Sequence, residues 1–162
     1  MLKKIGLLLG LLTLTLSPLT AQKTLKQIRT YLKDKKADEA MKLVQQMEKD
    51  TNTTEWARLY DYAKQAQIIK NDTENDKLYL KQAYDTAAFF KTALMACDYI
   101  LKCDSAEQKL IQDGDKPKYR KTNARILHDY YSNIHAGGRW FYARKDYASA
   151  MNLLKMALDL PQ

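Results

Sequence analysis

The sequence predicts an all-α chain built from short antiparallel helical hairpins. Three observations lead there. Apolar residues recur at steps of three and four through nearly all of the chain beyond residue 21, the period of helices with one buried face. Only five glycines and three prolines occur in 162 residues, too few for a turn-rich sandwich. The links between the first periodic stretches are short and polar, so consecutive helices must fold back on one another.

The first 21 residues stand apart from this pattern. Lys3 and Lys4 make a positive start, Ile5 to Leu16 is an almost unbroken apolar run, Pro18 interrupts it, and Leu19-Thr20-Ala21 ends on a small residue. This is the layout of a secretory signal peptide cut after Ala21. A permanent anchor would need about 20 apolar residues and a positive flank to stop transfer, and the run has neither. No cysteine follows it, which argues against lipid anchoring. The expected division is a cleaved signal peptide over 1–21 and a helical repeat domain over 22–162. Loss of Lys3 and Lys4, with no acid, lowers the formal net charge from +8 to +6. An exported chain rarely meets nucleic acid. The basic balance therefore predicts a solvated surface with some preference for anionic partners, and no nucleic-acid partner. No later stretch is long and apolar enough to span a membrane.

Within 22–162, Leu25, Ile28 and Leu32 share one face of a first helix, and Ala40, Leu43, Val44 and Met47 one face of a second. Trp56, Leu59, Tyr60 and Ala63 open another. The polar run Asn71 to Asp76 is expected to be a turn. Leu78 to Leu101 reads as one helix or two, with Asp85-Thr86 a candidate turn and N-cap. Gln112 to Pro117 is the strongest loop signal. Ala150, Leu153, Leu154, Ala157 and Leu158 form the last apolar stripe, closed by Pro161. Cys97 and Cys103 lie six apart, a helical rise of roughly 9 Å that exceeds the Cα separation of a disulfide. Both are expected to be small buried or half-buried apolar residues.

The segment from Ala136 to Pro161 resembles the tetratricopeptide (TPR) repeat. Gly138 matches the small residue of the repeat's first helix and Phe141 the aromatic three residues on. Asp146-Tyr147 matches the turn, Ala150 and Ala157 the small positions of the second helix, and Leu154 the bulky one. Lys145 departs from the pattern, standing where the turn usually has glycine, and Pro161 comes one residue early. Aligning Ala40 with Ala150 places Tyr31 on the aromatic position and Val44 on the bulky one, with Ile28 on the small one. The interval leaves room for two more repeats of about 34 residues plus a short insertion. The resemblance implies about four degenerate hairpins, clearest at 131–162, stacked into a short right-handed superhelix. Tyr84 to Phe90, Lys102 to Ser105 and Lys118 to Ala124 are similar to segments of exported TPR proteins of Gram-negative bacteria, which implies the periplasm or cell surface.

Residues with catalytic or metal-binding spacing are few. His128 and His135, the only histidines, lie seven apart and roughly 10 Å from one another on one helix, too far to share an ion without a third element. No phosphate-binding glycine pattern occurs, because Gly137-Gly138 lacks the lysine and hydroxyl that follow it in such loops. No arrangement of nucleophile and base stands out. No catalytic residue, metal or cofactor is therefore expected, and an enzyme is the least favoured class.

Two binding surfaces remain. The resemblance implies a concave groove lined by Arg29 and Lys33 in the first repeat and by Ser132, His135, Arg139 and Tyr142 in the last, facing a protein or peptide with acidic groups. The competing reading is an ordinary solvated helix face. The second surface is Lys116, Lys118, Arg120 and Lys121 around Pro117, where bases crowd the positive end of a helix dipole that normally prefers acids. It implies an anion- or glycan-binding module over 116–125, in which free backbone N–H groups hold a phosphate, sulfate or carboxylate. Pairing with Asp104, Glu107, Asp113 or Asp115 is the simpler alternative. Finally, Met151, Leu154 and Leu158 lie on a last helix without a polar cap, which implies a homodimer or a longer natural chain.

Overall fold

A computed structural model describes residues 18–50 and 53–160, so most of the segment read as a signal peptide lies outside it. The described residues form six helices: α1 (Pro18–Lys33), α2 (Ala37–Glu48), α3 (Trp56–Tyr79), α4 (Thr86–Gln112), α5 (Arg120–Ala143) and α6 (Tyr147–Asp159). They pair as three hairpins, α1–α2, α3–α4 and α5–α6. Each helix also packs on the next in the chain, α1 reaches α3, and α4 reaches α6. The chain is all-α.

The middle hairpin differs from the sequence reading. Where the spacing left room for two repeats, the chain makes one pair of long helices, of 24 and 27 residues. The run Asn71 to Asp76, expected as a turn, lies inside α3. The reason is Asn71, which is buried and donates from Nδ2 to the Phe89 carbonyl at 2.6 Å and to Thr92 Oγ1 at 3.2 Å. Its polarity is satisfied by α4 instead of by water, so the run continues the helix. The real turn comes after Tyr79. There Asp85 caps α4, its carboxylate accepting from the Ala88 N–H at 2.9 Å, as the sequence anticipated.

The turn that closes each hairpin is the same in all three. Lys35, Lys81 and Lys145 have positive φ, at 55°, 55° and 63°. In each case the next residue donates its N–H five residues back: Lys36 to Tyr31, Gln82 to Lys77 and Asp146 to Phe141, at 2.8, 2.9 and 3.1 Å. The lysine itself donates three residues back. This is the Schellman termination, for which glycine is the usual left-handed residue. Gly114, with φ 101°, makes the same closure after α4. Lys145 thus fills the glycine position in conformation as well as in sequence, and Tyr31 and Phe141 hold equivalent places.

Two apolar clusters divide the molecule. One joins α1, α2 and α3 around Ile28, Val44 and Leu59, and receives Tyr99 from α4. The other joins α4, α5 and α6 around Ile100, Ile134 and Leu153. Cys97 and Cys103 are free thiols, fully buried, and burial pushes both up to about 12. Close approach of α5 and α6 depends on Gly138, where an added Cβ would stand 2.6 Å from Leu154 Cγ and Cδ2. Overpacking a site like this costs about 1–3 kcal/mol.

Candidate functional site

Between the two clusters runs a seam of buried polar residues from α3. Asp61, Lys64, Gln67 and Asn71 succeed one another at steps of three, three and four, and all are buried. Lys64 Nζ donates to Asp61 Oδ1 at 2.5 Å and to Asn123 Oδ1 at 2.8 Å. Asn123, fully buried on α5, donates in turn to Asp104 Oδ1 at 2.6 Å. Three helices are thereby joined by one chain of hydrogen bonds. Burial raises the Asp104 carboxyl, and the hydrogen bond from Asn123 opposes that rise. Within this seam a buried charge is compensated at each step, as a low-dielectric interior requires.

The basic stretch that sequence reading put forward as an anion site lies beside the seam, and its backbone donors are already engaged. Glu107, 2% exposed, accepts from the Lys118 N–H, the Tyr119 N–H at 2.8 Å and the Arg120 N–H at 3.2 Å. A carboxylate of α4 therefore fills the start of α5. Pro117 lies ahead of the helix, not in its first turn, since α5 begins at Arg120. Arg120 donates to Gln108 Oε1. Lys118 stands 5.1 Å above the Tyr119 ring, and Lys116 and Lys121 are exposed. Glu107 was among the acids named as pairing partners in the simpler alternative. It does so through the backbone, which composition does not reveal.

Two clefts meet at this end of the molecule. The first, about 320 Å³, is walled by Arg58, Leu110, Lys116, Lys118 and Tyr119. Its three bases face three acids, Glu55, Glu107 and Asp115, and Arg58 is paired with Glu55 at 2.6 Å. The second, about 390 Å³, is walled by Trp56, Tyr60, Lys102, Ser105 and Lys109 and has no carboxylate in its lining. Thr54, Ala57 and Leu110 line both. Trp56 and Tyr60 have ring centroids 5.5 Å apart, and Tyr60 lies 6.2 Å from Tyr99. Lys102 is 4.9 Å above the Tyr99 ring and 2.8 Å from Asp98. Burial raises the Tyr60 phenol and pushes Tyr99 and Tyr119 up to about 12, so all three remain neutral at physiological pH.

The chain matches no family model, no curated protein and no solved structure. Its site must be read from its own geometry.

The residues expected to form a concave groove lie on two helices of that fold. Arg29 and Lys33 are exposed on α1; Ser132, His135, Arg139 and Tyr142 are exposed on α5. None of the six lines the two clefts. Tyr142 instead packs edge-on against Tyr147 of α6, centroids 5.5 Å apart. His128 is exposed beside Asp129, Nδ1 to Oδ1 3.7 Å. Among the described residues no three of His, Cys, Asp and Glu come together as metal ligands, and no helix is long and apolar enough to cross a membrane. On the last helix Met151 and Leu158 are exposed, while Leu154 is half-buried against Gly138. Sequence reading missed Trp56, Tyr60, Lys102 and Lys109 as a group. Only the antiparallel packing of α3 on α4 brings residues more than 40 apart to one cleft.

Proposed function

We propose that the chain is a non-enzymatic, TPR-like scaffold, exported to the periplasm or cell surface, that holds a segment of a partner protein. The observation that carries this reading is the joined pair of clefts across Thr54, Ala57 and Leu110. One wall offers aromatic rings for apolar side chains. The rim offers Lys109, and Lys102, which is paired with Asp98 outside the cleft's lining. A segment with apolar and acidic residues fits both features. The binding surface in this proposal is built from the start of α3, the end of α4 and the segment leading into α5, and includes none of the six groove residues expected from the sequence. The shared turn of the first and third hairpins, with Tyr31 and Phe141 in equivalent places, supports the repeat reading. Engagement of the α5 start by Glu107 weighs against a bare phosphate or sulfate held there as the main ligand.

A photo-crosslinking residue placed at Leu110 or at Arg139, in cells, separates the surfaces. A defined protein adduct from position 110, lost when Trp56→Ala and Lys109→Glu are introduced, is the expected result. An adduct from position 139 with none from 110 would return the interaction to the groove residues expected from the sequence. No protein adduct from either, with binding of an anionic glycan to the Lys116 and Lys118 cleft, would favour the non-protein ligand.

A further inference from the structure

The three hairpin turns share one closure and differ in what they show to solvent. In the first and third, the residue whose carbonyl accepts from five residues on is aromatic and packs inward. Tyr31 lies against the first apolar cluster, and Phe141, 3% exposed, belongs to the second. An apolar side chain at this position commonly clasps the closure. In the middle turn the position is Lys77, paired with Glu74 at 2.6 Å, and the apolar residues come after it. Leu78, Tyr79 and Leu80 are 44%, 80% and 67% exposed, the one run of three large apolar residues left to solvent among the described residues. Tyr79 and Leu80 stand where the flanking turns carry Lys33-Asp34 and Ala143-Arg144.

The middle turn also stands furthest out. On one flank Asp38, at the start of α2, pairs with Lys70 of α3 at 2.8 Å, so the first turn closes beside Lys70. Leu80 lies ten residues further on, about 15 Å at helical rise. On the other flank Lys91 of α4 stands 5.4 Å above the Phe141 ring, and Phe90 lies 5.9 Å from Trp140. The third turn thus closes near the start of α4, and the link 80–85 lies beyond it.

The two turns set back from the tip are basic. Lys33, Lys35, Lys36, Arg144 and Lys145 are exposed there against two acids, and one of those, Asp146, is held in its cap by the Ser149 N–H at 3.1 Å. Lys35, Lys81 and Lys145 each keep a left-handed backbone that glycine would adopt at less cost, so every turn places a cation at this end against local preference. Behind the tip Glu74 is engaged by Lys77 and by the Asp85 N–H at 2.7 Å. Asp76 is exposed one turn back from Leu80.

We propose that this end of the molecule docks on the surface of a bilayer containing anionic phospholipid. Leu78, Tyr79 and Leu80 enter the interface, where apolar and amphipathic aromatic side chains are stabilised. The cations of the flanking turns, set back from the tip, meet the headgroup phosphates. Asp76 limits entry to the tip itself. The two joined clefts, at the other end of α3 and about 35 Å away, then face water.

The test uses the full chain with carbon-13 methyl-labelled leucine, mixed with bicelles of phosphatidylcholine and phosphatidylglycerol that carry a nitroxide high on the acyl chain. The Leu78 and Leu80 methyl signals should broaden, while those of Leu110 and Leu158, exposed at the opposite end, should stay sharp. Replacing phosphatidylglycerol by phosphatidylcholine should weaken the broadening by about threefold or more, as should raised salt. Lys35→Glu with Lys145→Glu, both at exposed turns, should abolish the preference for phosphatidylglycerol. Sharp signals from Leu78 and Leu80 overturn the proposal, whether or not the chain touches the bicelle elsewhere. So does equal broadening at Leu110 and Leu158, or equal broadening with and without phosphatidylglycerol, comparisons that need no variant to fold.

Discussion

Lys64 is 3% exposed and keeps its charge company with Asp61 and Asn123. Asp104, at the far end of that chain, is the member under strain. Burial raises its carboxyl above the ordinary range, opposed by Asn123, Arg120 and Lys64, while Glu107 adds to the rise. The sign follows from linkage. A folded-state value above the unfolded one means that the ionised form costs stability at neutral pH, and that the cost is relieved as pH falls through the folded value. Asp104→Asn keeps an oxygen for Asn123 Nδ2 and carries no charge to desolvate. It is expected to be at least as stable as the parent at pH 7 in urea unfolding. Its advantage should shrink steadily on acidification. A loss above about 1 kcal/mol at pH 7 would show that Lys64 needs the second carboxylate more than burial penalises it.

At the scale of the element, each hairpin is closed by a lysine in a conformation that favours glycine. A non-glycine residue in the left-handed region costs on the order of 1 kcal/mol. Lys145→Gly should therefore raise stability by about 0.5–1 kcal/mol in chemical denaturation, with no change in helix content. A destabilised variant would mean that the lysine side chain contributes more than its backbone costs. The start of α5 makes the opposite case, since no side-chain cap is supplied from within the helix and Tyr119 stands at the N-cap. Glu107 of α4 supplies the acceptor for three N–H groups instead. Glu107→Ala should cost about 2 kcal/mol, read from the urea midpoint at unchanged slope. Glu107→Gln should lose less, because its amide oxygen still accepts.

Across the whole molecule, α3 touches α1, α2 and α4, and α4 touches α3, α5 and α6. The outer helices α1 and α6 have fewer neighbours, as in arrays where each unit is stabilised by those beside it. Native-state hydrogen exchange should find the slowest amides between Leu59 and Gln67 and between Ala93 and Ile100. Those of α1 and α6 should open at lower free energy. Uniform protection across all six helices would mean that the two apolar clusters unfold as one unit.

The resemblance to the TPR repeat implied the close contact made by Gly138, whereas residue spacing alone predicted an all-α chain, the apolar faces of α1, α2 and α6, the Asp85 cap and two buried or half-buried cysteines. These are local or periodic properties, carried by residues within a turn or two of each other. The middle of the chain was misread because periodicity takes polar residues as outward-facing. Asp61, Lys64, Gln67 and Asn71 look like a solvated stripe, and Asn71 to Asp76 like a turn, yet α3 is surrounded on several sides and buries that stripe. Whether a polar residue faces water or a partner is decided by which helix comes to lie against it, over separations such as the 59 residues from Lys64 to Asn123. The same holds for the clefts. Trp56 and Lys109 carry no mutual signal along the chain, and only the packing of one helix on another places them around a common space.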